Sequence, residues 1–157
     1  SAASVDMARY FLDSSALVKR YHHESGSSKV EQLFAGPGNR LLISRLALVE
    51  VRSSFARLVR EQVLTGSNYG RLAMRLDADA SSGIIVVAAL TGARLSEAAA
   101  LLGTLGLTHA MRTLDAIHLA TAHCIHKRTA LTAFVAADKK LLTVAESGFG
   151  LPVVDVG

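Results

Sequence analysis

Short apolar runs alternate with longer segments of helical periodicity along this chain. The runs that predict strands cover residues 10–12, 41–43, 84–88, 131–136 and 153–154. The segments that predict helices cover residues 14–21, 25–34, 46–61, 69–80, 112–125 and 139–146, and another helix is expected to begin at Ser96. Strands that are apolar on both faces and are separated by helices form a mostly parallel sheet covered on both sides. The pattern therefore predicts an α/β fold.

Hydroxyl side chains mark the expected starts of these helices. Ser14 or Ser15 is the expected N-cap of the first helix, and Ser44 is the expected N-cap of the helix over residues 46–61. The apolar side expected for this long helix is formed by Leu46, Val49, Ala56 and Val59.

The length and composition of the chain indicate one globular domain. It has 157 residues, and 50% of them are hydrophobic, which is enough to form a substantial core. We expect a single domain over residues 7–157. Residues 1–6 are small and polar and precede Met7, so we expect them to be an expression remnant and Met7 to be the natural start.

Charge and cysteine content narrow the setting in which the protein works. Seventeen Lys and Arg against thirteen Asp and Glu give a net charge of +4, a modest excess that favours contact with polyanions. Cys124 is the only cysteine, which excludes an intramolecular disulfide and a thiolate zinc site, so we expect a reducing cytoplasm. The longest strongly apolar run, residues 84–90, is far shorter than the ~20 residues of a membrane-spanning helix.

Two aspartates directly follow predicted strands. Asp13 ends the run over residues 10–12, and Asp138 comes just after the run over residues 131–136. In open parallel sheets, ligands bind beyond the carboxyl ends of the strands. If these two strands are neighbours, both carboxylates face the same crevice.

Two further acids lie near the starts of predicted helices. Glu50 is in the second turn of the helix that follows Ser44, beside its apolar side. Asp115 is in the first turn of the helix over residues 112–125, at the positive end of its dipole. We expect both side chains to point inward.

Each of these acids also has a purely structural interpretation. Asp13 and Asp138 are possible helix caps, Asp115 a partner of the helix dipole, and Glu50 half of an ion pair with an arginine.

Taken together, however, four converging carboxylates must share protons or bind a cation. Two like charges ~4 Å apart repel by about 4 kcal/mol at an effective dielectric constant of 20. Oxygen ligands without cysteine or a clear histidine pair favour Mg²⁺ or Mn²⁺, which suits phosphoester hydrolysis.

Four segments resemble, in chain order, the acidic motifs of PIN-domain nucleases, and most closely those of toxin ribonucleases of the virulence-associated protein C type. The segments are FLDSSALVK (11–19), SRLALVE (44–50), LDAIHLATA (114–122) and FVAADKKL (134–141). The resemblance extends from residue 9 to residue 154, and its most specific parts are the motifs of Asp115 and Asp138.

This resemblance implies a Rossmann-like three-layer α/β/α domain that binds Mg²⁺ or Mn²⁺ and cleaves single-stranded or looped RNA. By position, Asp13, Glu50 and Asp115 match the most regular metal ligands of the family, and Asp138 matches a fourth catalytic acid whose role varies among members. The resemblance also implies a homodimer and a cognate antitoxin that covers the site.

Other charged residues near the motifs carry weaker expectations. Candidates for contact with phosphate or with acids of an antitoxin are Lys19, Arg20, Arg45, Arg52, Arg112, Lys139 and Lys140. Some family members carry a further acid shortly after the fourth, where this chain has Lys139 and Lys140. The sequence therefore does not decide whether the site binds one metal ion or two. We expect Asp77 and Asp79 to be surface charges, and His118 to be packed or hydrogen-bonded.

Two other functions compete with a nuclease. Asp13 is a possible nucleophile of a phosphatase or receiver domain, but the chain lacks the Asp-x-Asp of the former and the acidic pair expected before the first strand of the latter. A non-catalytic PIN-like module that binds RNA or serves as a scaffold is the main alternative.

Overall fold

Five parallel strands form one central sheet in the computed structural model, which describes residues 7–157. The strands are β1 (Arg9–Leu12), β2 (Arg40–Ser44), β3 (Ile85–Ala88), β4 (Ala133–Ala136) and β5 (Val153–Asp155). Their order across the sheet is β3-β2-β1-β4-β5, and every neighbouring pair is parallel. The expectation that residues 1–6 are an expression remnant lies outside the described residues.

Helices connect the strands and cover the sheet. Within residues 7–157 they are α1 (Ser14–Leu17), α2 (Ser27–Ala35), α3 (Arg45–Arg60), α4 (Gly66–Ser82), α5 (Gly92–Leu102), α6 (Thr113–Arg128) and α7 (Lys139–Phe149). Short 3₁₀ turns follow α1 (Val18–Arg20) and α5 (Leu105–Leu107). In this part of the chain, no helix has the length and apolar character required to cross a bilayer.

The two faces of the sheet bury separate apolar layers. Phe11 of β1 and Phe134 of β4 stack with their ring centres 5.7 Å apart and belong to the core beneath α6 and α7. The next residues along these strands, Leu12 and Val135, belong to the core on the opposite face, with α1 and α3. Since successive strand residues point to opposite faces, strands buried on both sides must be apolar throughout. The predicted three-layer α/β/α fold is confirmed.

The chain changes direction across the sheet between β1 and β4. It enters at the central strand β1, proceeds through β2 to β3 at one edge, and then returns to place β4 on the other side of β1. Leu12 lies opposite Val135, and the amide of Asp13 donates to the carbonyl of Val135 at 3.1 Å. The strands that precede Asp13 and Asp138 are therefore neighbours. This is the condition under which both carboxylates were expected to face the same crevice. Such a reversal of strand order is where open α/β sheets bind their ligands.

Two helix starts differ from the expected ones. The N-cap of α1 is Asp13, whose side chain accepts from the amide of Ala16, rather than Ser14 or Ser15. The helix expected to begin at Ser96 begins at Gly92, because Thr91 caps it by accepting from the amide of Arg94. In both places a capping side chain outweighs local helix propensity.

The buried side of α3 also differs from the expected one. This side is formed by Ala47, Val51 and Phe55. Phe55 packs edge-on against the rings of Tyr21 and Tyr69, at 6.1 and 6.4 Å between ring centres. The expected set of Leu46, Val49, Ala56 and Val59 is wrong, since Val49 is 65% exposed and the other three are half-buried. Both sets have helical spacing, so only the positions of the neighbouring helices select between them.

Asp79 is buried, and its assignment as a surface charge is wrong. It accepts a hydrogen bond from Arg20 Nε at 2.9 Å and another from the Tyr21 hydroxyl at 2.7 Å. The Arg20 guanidinium also stacks over Phe34, 4.0 Å from the ring centre. Asp77, by contrast, is exposed and pairs with Arg52 at 2.5 Å. The buried pair attaches α4 to the turn that follows α1. Arg20, a candidate from the sequence for contact with phosphate or with an antitoxin, is therefore occupied by an internal ion pair.

We expect Asp79→Ala to lower the free energy of unfolding by about 3 kcal/mol, because it leaves the mostly buried Arg20 guanidinium without its partner. Asp77→Ala is the matched control two residues away and should change the free energy by less than about 1 kcal/mol. Urea unfolding of both variants measures the difference. Equal effects of the two substitutions would contradict a structural role for the buried pair.

Candidate active site

A cleft of about 330 Å³ opens at the carboxyl ends of β1 and β4. It is lined by Asp13, Ser14, Ser15, Glu50, Arg112, Thr113, Leu114, Asp115 and Asp138. All four acids singled out from the sequence thus line one cleft, although they come from four separate segments of the chain. Their catalytic and metal-binding roles stay predictions.

Asp13 is the most deeply buried of the four acids, with 4% of its surface exposed. Its Oδ1 accepts from the Ser15 hydroxyl at 2.7 Å and from the amide of Ala16 at 3.0 Å. The Ser15 oxygen in turn accepts from the amide of Ala137 at 3.0 Å. Ser15 therefore joins the carboxyl end of β1 to that of β4. The sequence offers only the Asp-x-Ser spacing as a signal for this role, because Ala137 is distant along the chain.

Burial changes the acidity of Asp13. Loss of hydration raises the pKa of this carboxyl from 3.8 to about 6, although the hydrogen bond from Ser15 and the nearby His118 lower it. The charge of Glu50 adds a smaller increase. A positive charge bound beside Asp13 would favour its ionised form.

Glu50 joins α3 to α6 through His118. The Nε2–H of His118 donates to Glu50 Oε1 in a short hydrogen bond, and the imidazole is only 2% exposed. His118 lies one turn beyond Asp115 on α6, so its packing and bonding agree with the expectation from the sequence. The structural alternative was an ion pair between Glu50 and an arginine. Among residues 7–157 Glu50 pairs with His118 and with no arginine.

Asp115 and Asp138 lie at the starts of α6 and α7. Asp115 Oδ2 accepts from the amide of Arg112 at 3.1 Å, and the Arg112 Nε lies 3.7 Å from the same oxygen. Asp138 is the N-cap of α7, and its Oδ1 accepts from the amides of Lys140 and Leu141 at 2.9 and 3.4 Å. Asp13 and Asp138 therefore do cap helices, as the structural interpretation of the sequence expected. Asp115 lies in the first turn of α6, where it faces the positive end of the helix dipole, as was also expected.

In each of the four acids, one carboxylate oxygen is held by the protein and the other is not. The held oxygens are Oδ1 of Asp13, Oε1 of Glu50, Oδ2 of Asp115 and Oδ1 of Asp138. Their second oxygens accept no hydrogen bond from any of residues 7–157. The positive ends of α6 and α7 meet at this cleft and partly offset the negative charge of the acids. Capping roles and a ligand-binding role are thus compatible, since they use different oxygens.

The residues fit a hydrated hard cation better than a tightly enclosed one. Among residues 7–157, no three His, Cys, Asp or Glu side chains come close enough to form a ready-made metal cage. Zinc sites need such a closed set of ligands. Mg²⁺ instead keeps several waters and binds one or two carboxylates together with substrate phosphates. Unpartnered carboxylate oxygens around an open cleft are suited to that kind of binding.

An α/β domain with an acidic cleft at its change of strand order is the class of protein that this fold and site define. Within that class, residues 10–147 match the model of the PIN-domain family. The chain belongs to the PIN-domain family, and the resemblance noted in the sequence is confirmed. PIN domains generally use divalent metal ions.

Solved structures with the same fold include one described as a toxin. VapC20 of Mycobacterium tuberculosis, described as a toxin that cleaves the sarcin–ricin loop, is 18% identical with a TM-score of 0.64, and the match covers 89% of this chain and 95% of that one. PAE2754 of Pyrobaculum aerophilum is 18% identical with a TM-score of 0.58, over 96% and 91%. FitAcB of Neisseria gonorrhoeae is 15% identical with a TM-score of 0.61, over 94% and 97%. At these identities the likeness shows the fold alone. Comparison with curated protein sequences gives no significant match.

We expect Asp13→Asn to stabilise the metal-free protein at neutral pH, because asparagine keeps the cap and removes the buried charge. With a pKa of about 6 when folded and 3.8 when unfolded, Asp13 binds more protons in the native state between these pH values. Its contribution to the free energy of unfolding therefore falls as pH rises through this window, by at most about 3 kcal/mol.

Urea unfolding of both proteins in excess chelator at pH 4 and pH 7 measures this effect. The two should be similar in stability at pH 4, and the variant should be the more stable at pH 7. A difference that does not change with pH would contradict the proposed burial of a charged carboxylate.

Proposed function

We propose that the protein is a metal-dependent endoribonuclease that hydrolyses RNA phosphodiester bonds. The observation that carries this proposal is that four carboxylates from four segments line one cleft of a PIN fold, each with one oxygen that accepts no hydrogen bond from residues 7–157. Carboxylate oxygens in an open cleft are suited to Mg²⁺ or Mn²⁺, whose preferred ligands are oxygen atoms.

In this proposal Asp13, Glu50 and Asp115 hold the cation, directly or through water, and Asp138 completes the acidic ring. A bound divalent cation would neutralise a non-bridging phosphate oxygen and acidify a bound water. One or two ions remain compatible with four carboxylates.

The protein's own groups have distinct tasks in this reaction. A carboxylate with an unpartnered oxygen accepts a proton from the attacking water as the water oxygen bonds to phosphorus and the leaving oxygen departs. Arg112, whose side chain is 85% exposed at the rim of the cleft, is positioned to contact a phosphate.

The biological role proposed here is that of the toxin in a toxin–antitoxin pair, acting as a homodimer on RNA in the cytoplasm. The four motifs resemble those of virulence-associated protein C toxins, and VapC20, a structural neighbour, is described as a toxin. A cognate antitoxin would then silence the protein by covering the acidic cleft.

A non-catalytic PIN-like module that binds RNA or acts as a scaffold is the second candidate. It is favoured by two observations: three of the acids already serve helix starts, and no three-ligand cage exists within residues 7–157. The unpartnered oxygens favour the nuclease, since capping alone does not require four acids to share a cleft.

The direct test is cleavage of a mixed cellular RNA pool by the purified protein, with Mg²⁺ or Mn²⁺ and with excess chelator. We expect cuts that need the metal and that Asp115→Asn reduces by roughly 100-fold or more, which corresponds to about 3 kcal/mol of lost transition-state stabilisation. Asp77→Asn, an exposed acid outside the cleft, is the matched control and should cleave normally.

Cleavage that survives in chelator, or in Asp115→Asn, would contradict the assigned site. Metal binding without cleavage of any RNA would favour the non-catalytic module.

His118 offers a second test of the same site, because it holds the Glu50 carboxylate. We expect His118→Phe to weaken Mn²⁺ binding by about 10- to 100-fold, as loss of a group that orients a metal ligand does. His118→Gln keeps a donor and should restore part of the affinity. His123, on the same helix as His118, packs on Phe149 of α7, and His123→Phe should have little effect.

Isothermal titration with Mn²⁺ measures these affinities independently of cleavage. Equal affinities in the native protein and in His118→Phe would show that Glu50 does not need this partner to bind the cation.

A further inference from the structure

Two further depressions adjoin the acidic cleft and share residues with it. One, of about 420 Å³, shares Ser14, Ser15 and Arg112 with the cleft and extends to Arg57. The other, of about 440 Å³, shares Arg112, Asp115 and Asp138 with the cleft and extends to Lys140. Apart from Arg112, which lines all three, the flanking depressions meet the cleft through different residues, so the three are contiguous and form one groove that passes the acids.

An exposed basic side chain lines each of the two flanking depressions, Arg57 in one and Lys140 in the other. Arg57 follows Glu50 along one side of α3, two turns and about 10 Å further on at 1.5 Å per residue. Lys140 lies beside Asp138 in the first turn of α7. Both side chains are exposed, and neither has a carboxylate within 4.0 Å among residues 7–157. Lys19, which also lines the first depression, differs in being buried and bonded to Glu24 and to the Ser25 carbonyl.

We infer that a single nucleic-acid strand lies along this groove, with backbone phosphates on Arg57 on one side of the acids and on Lys140 on the other. This inference rests on the proposed function, which puts a scissile phosphate at the acids. The alternation of positive, negative and positive charge along the groove matches a strand whose central phosphate meets the acids through a cation and whose outer phosphates meet side chains. Arg112, common to all three depressions, contacts the strand near its centre.

The groove contains its own matched controls. Arg60 is exposed on α3 one turn beyond Arg57, and Lys139 is exposed next to Lys140, yet neither lines any of the three depressions. Removing either control changes the net charge of the protein by the same amount as removing Arg57 or Lys140. A general electrostatic attraction would therefore treat all four positions alike.

The test is binding of a fluorescent 12-nucleotide 2′-O-methyl RNA in Ca²⁺, followed by anisotropy over a range of salt concentrations, with the probe's integrity checked on a gel. Each phosphate contact on a single strand contributes about 0.7 to the slope of log K against log salt concentration. We expect Arg57→Ala and Lys140→Ala each to reduce the slope by about 0.7 and the affinity several-fold. Arg60→Ala and Lys139→Ala should leave the slope unchanged.

Equal effects of all four substitutions would overturn the groove in favour of diffuse attraction. If neither Arg57→Ala nor Lys140→Ala changed the slope, the proposed groove would also be overturned. These two side chains would then be better explained as contacts for a protein partner. Cleavage of cellular RNA by the native protein, measured alongside, separates the two proposals. Normal cleavage with unchanged slopes refutes the groove alone, and altered slopes without any cleavage refute the nuclease alone.

Discussion

Burial of the Asp13 carboxylate, in a cleft that three other acids also line, is the constraint on which the carboxyl edge of the sheet depends. Loss of hydration raises the pKa of Asp13 to about 6, and the charge of Glu50 adds a smaller increase. The fold offsets part of this cost with hydrogen bonds from Ser15 and Ala16 to Asp13, with the positive ends of α6 and α7, and with the buried His118 beside Glu50. These features hold the acids in place while one oxygen of each stays available.

The same arrangement connects stability to function. Ser15 holds Asp13 and the end of β4 together, and His118 holds Glu50 against α6, so the positions of these acids are set by the scaffold. A site that is oriented before its ligand arrives loses little conformational freedom on binding. A divalent cation that bound these acids would stabilise the protein, because it would bind the native state only.

Much of this fold could be predicted from the sequence, because the relevant signals are local. Apolar runs located the strands, and the acids that directly follow two of them, Asp13 and Asp138, indicated the edge where a site forms. The features that were missed depend on contacts between distant segments. Asp79 resembles the exposed Asp77 in sequence and is distinguished only by Arg20 and Tyr21, which the fold brings to it. The position of Arg57 along the groove likewise follows from the packing of α3 beside α1.

The most direct measurement of the central claim is an anomalous diffraction map from crystals of the protein grown with Mn²⁺. We expect a Mn²⁺ peak in the cleft about 2.0–2.2 Å from Oδ2 of Asp13. The free carboxylate oxygen of Glu50 or of Asp115 should contact the same ion, either directly or through one water. A cleft without Mn²⁺ at concentrations that support RNA cleavage, or an ion bound away from these acids, would contradict the assigned site.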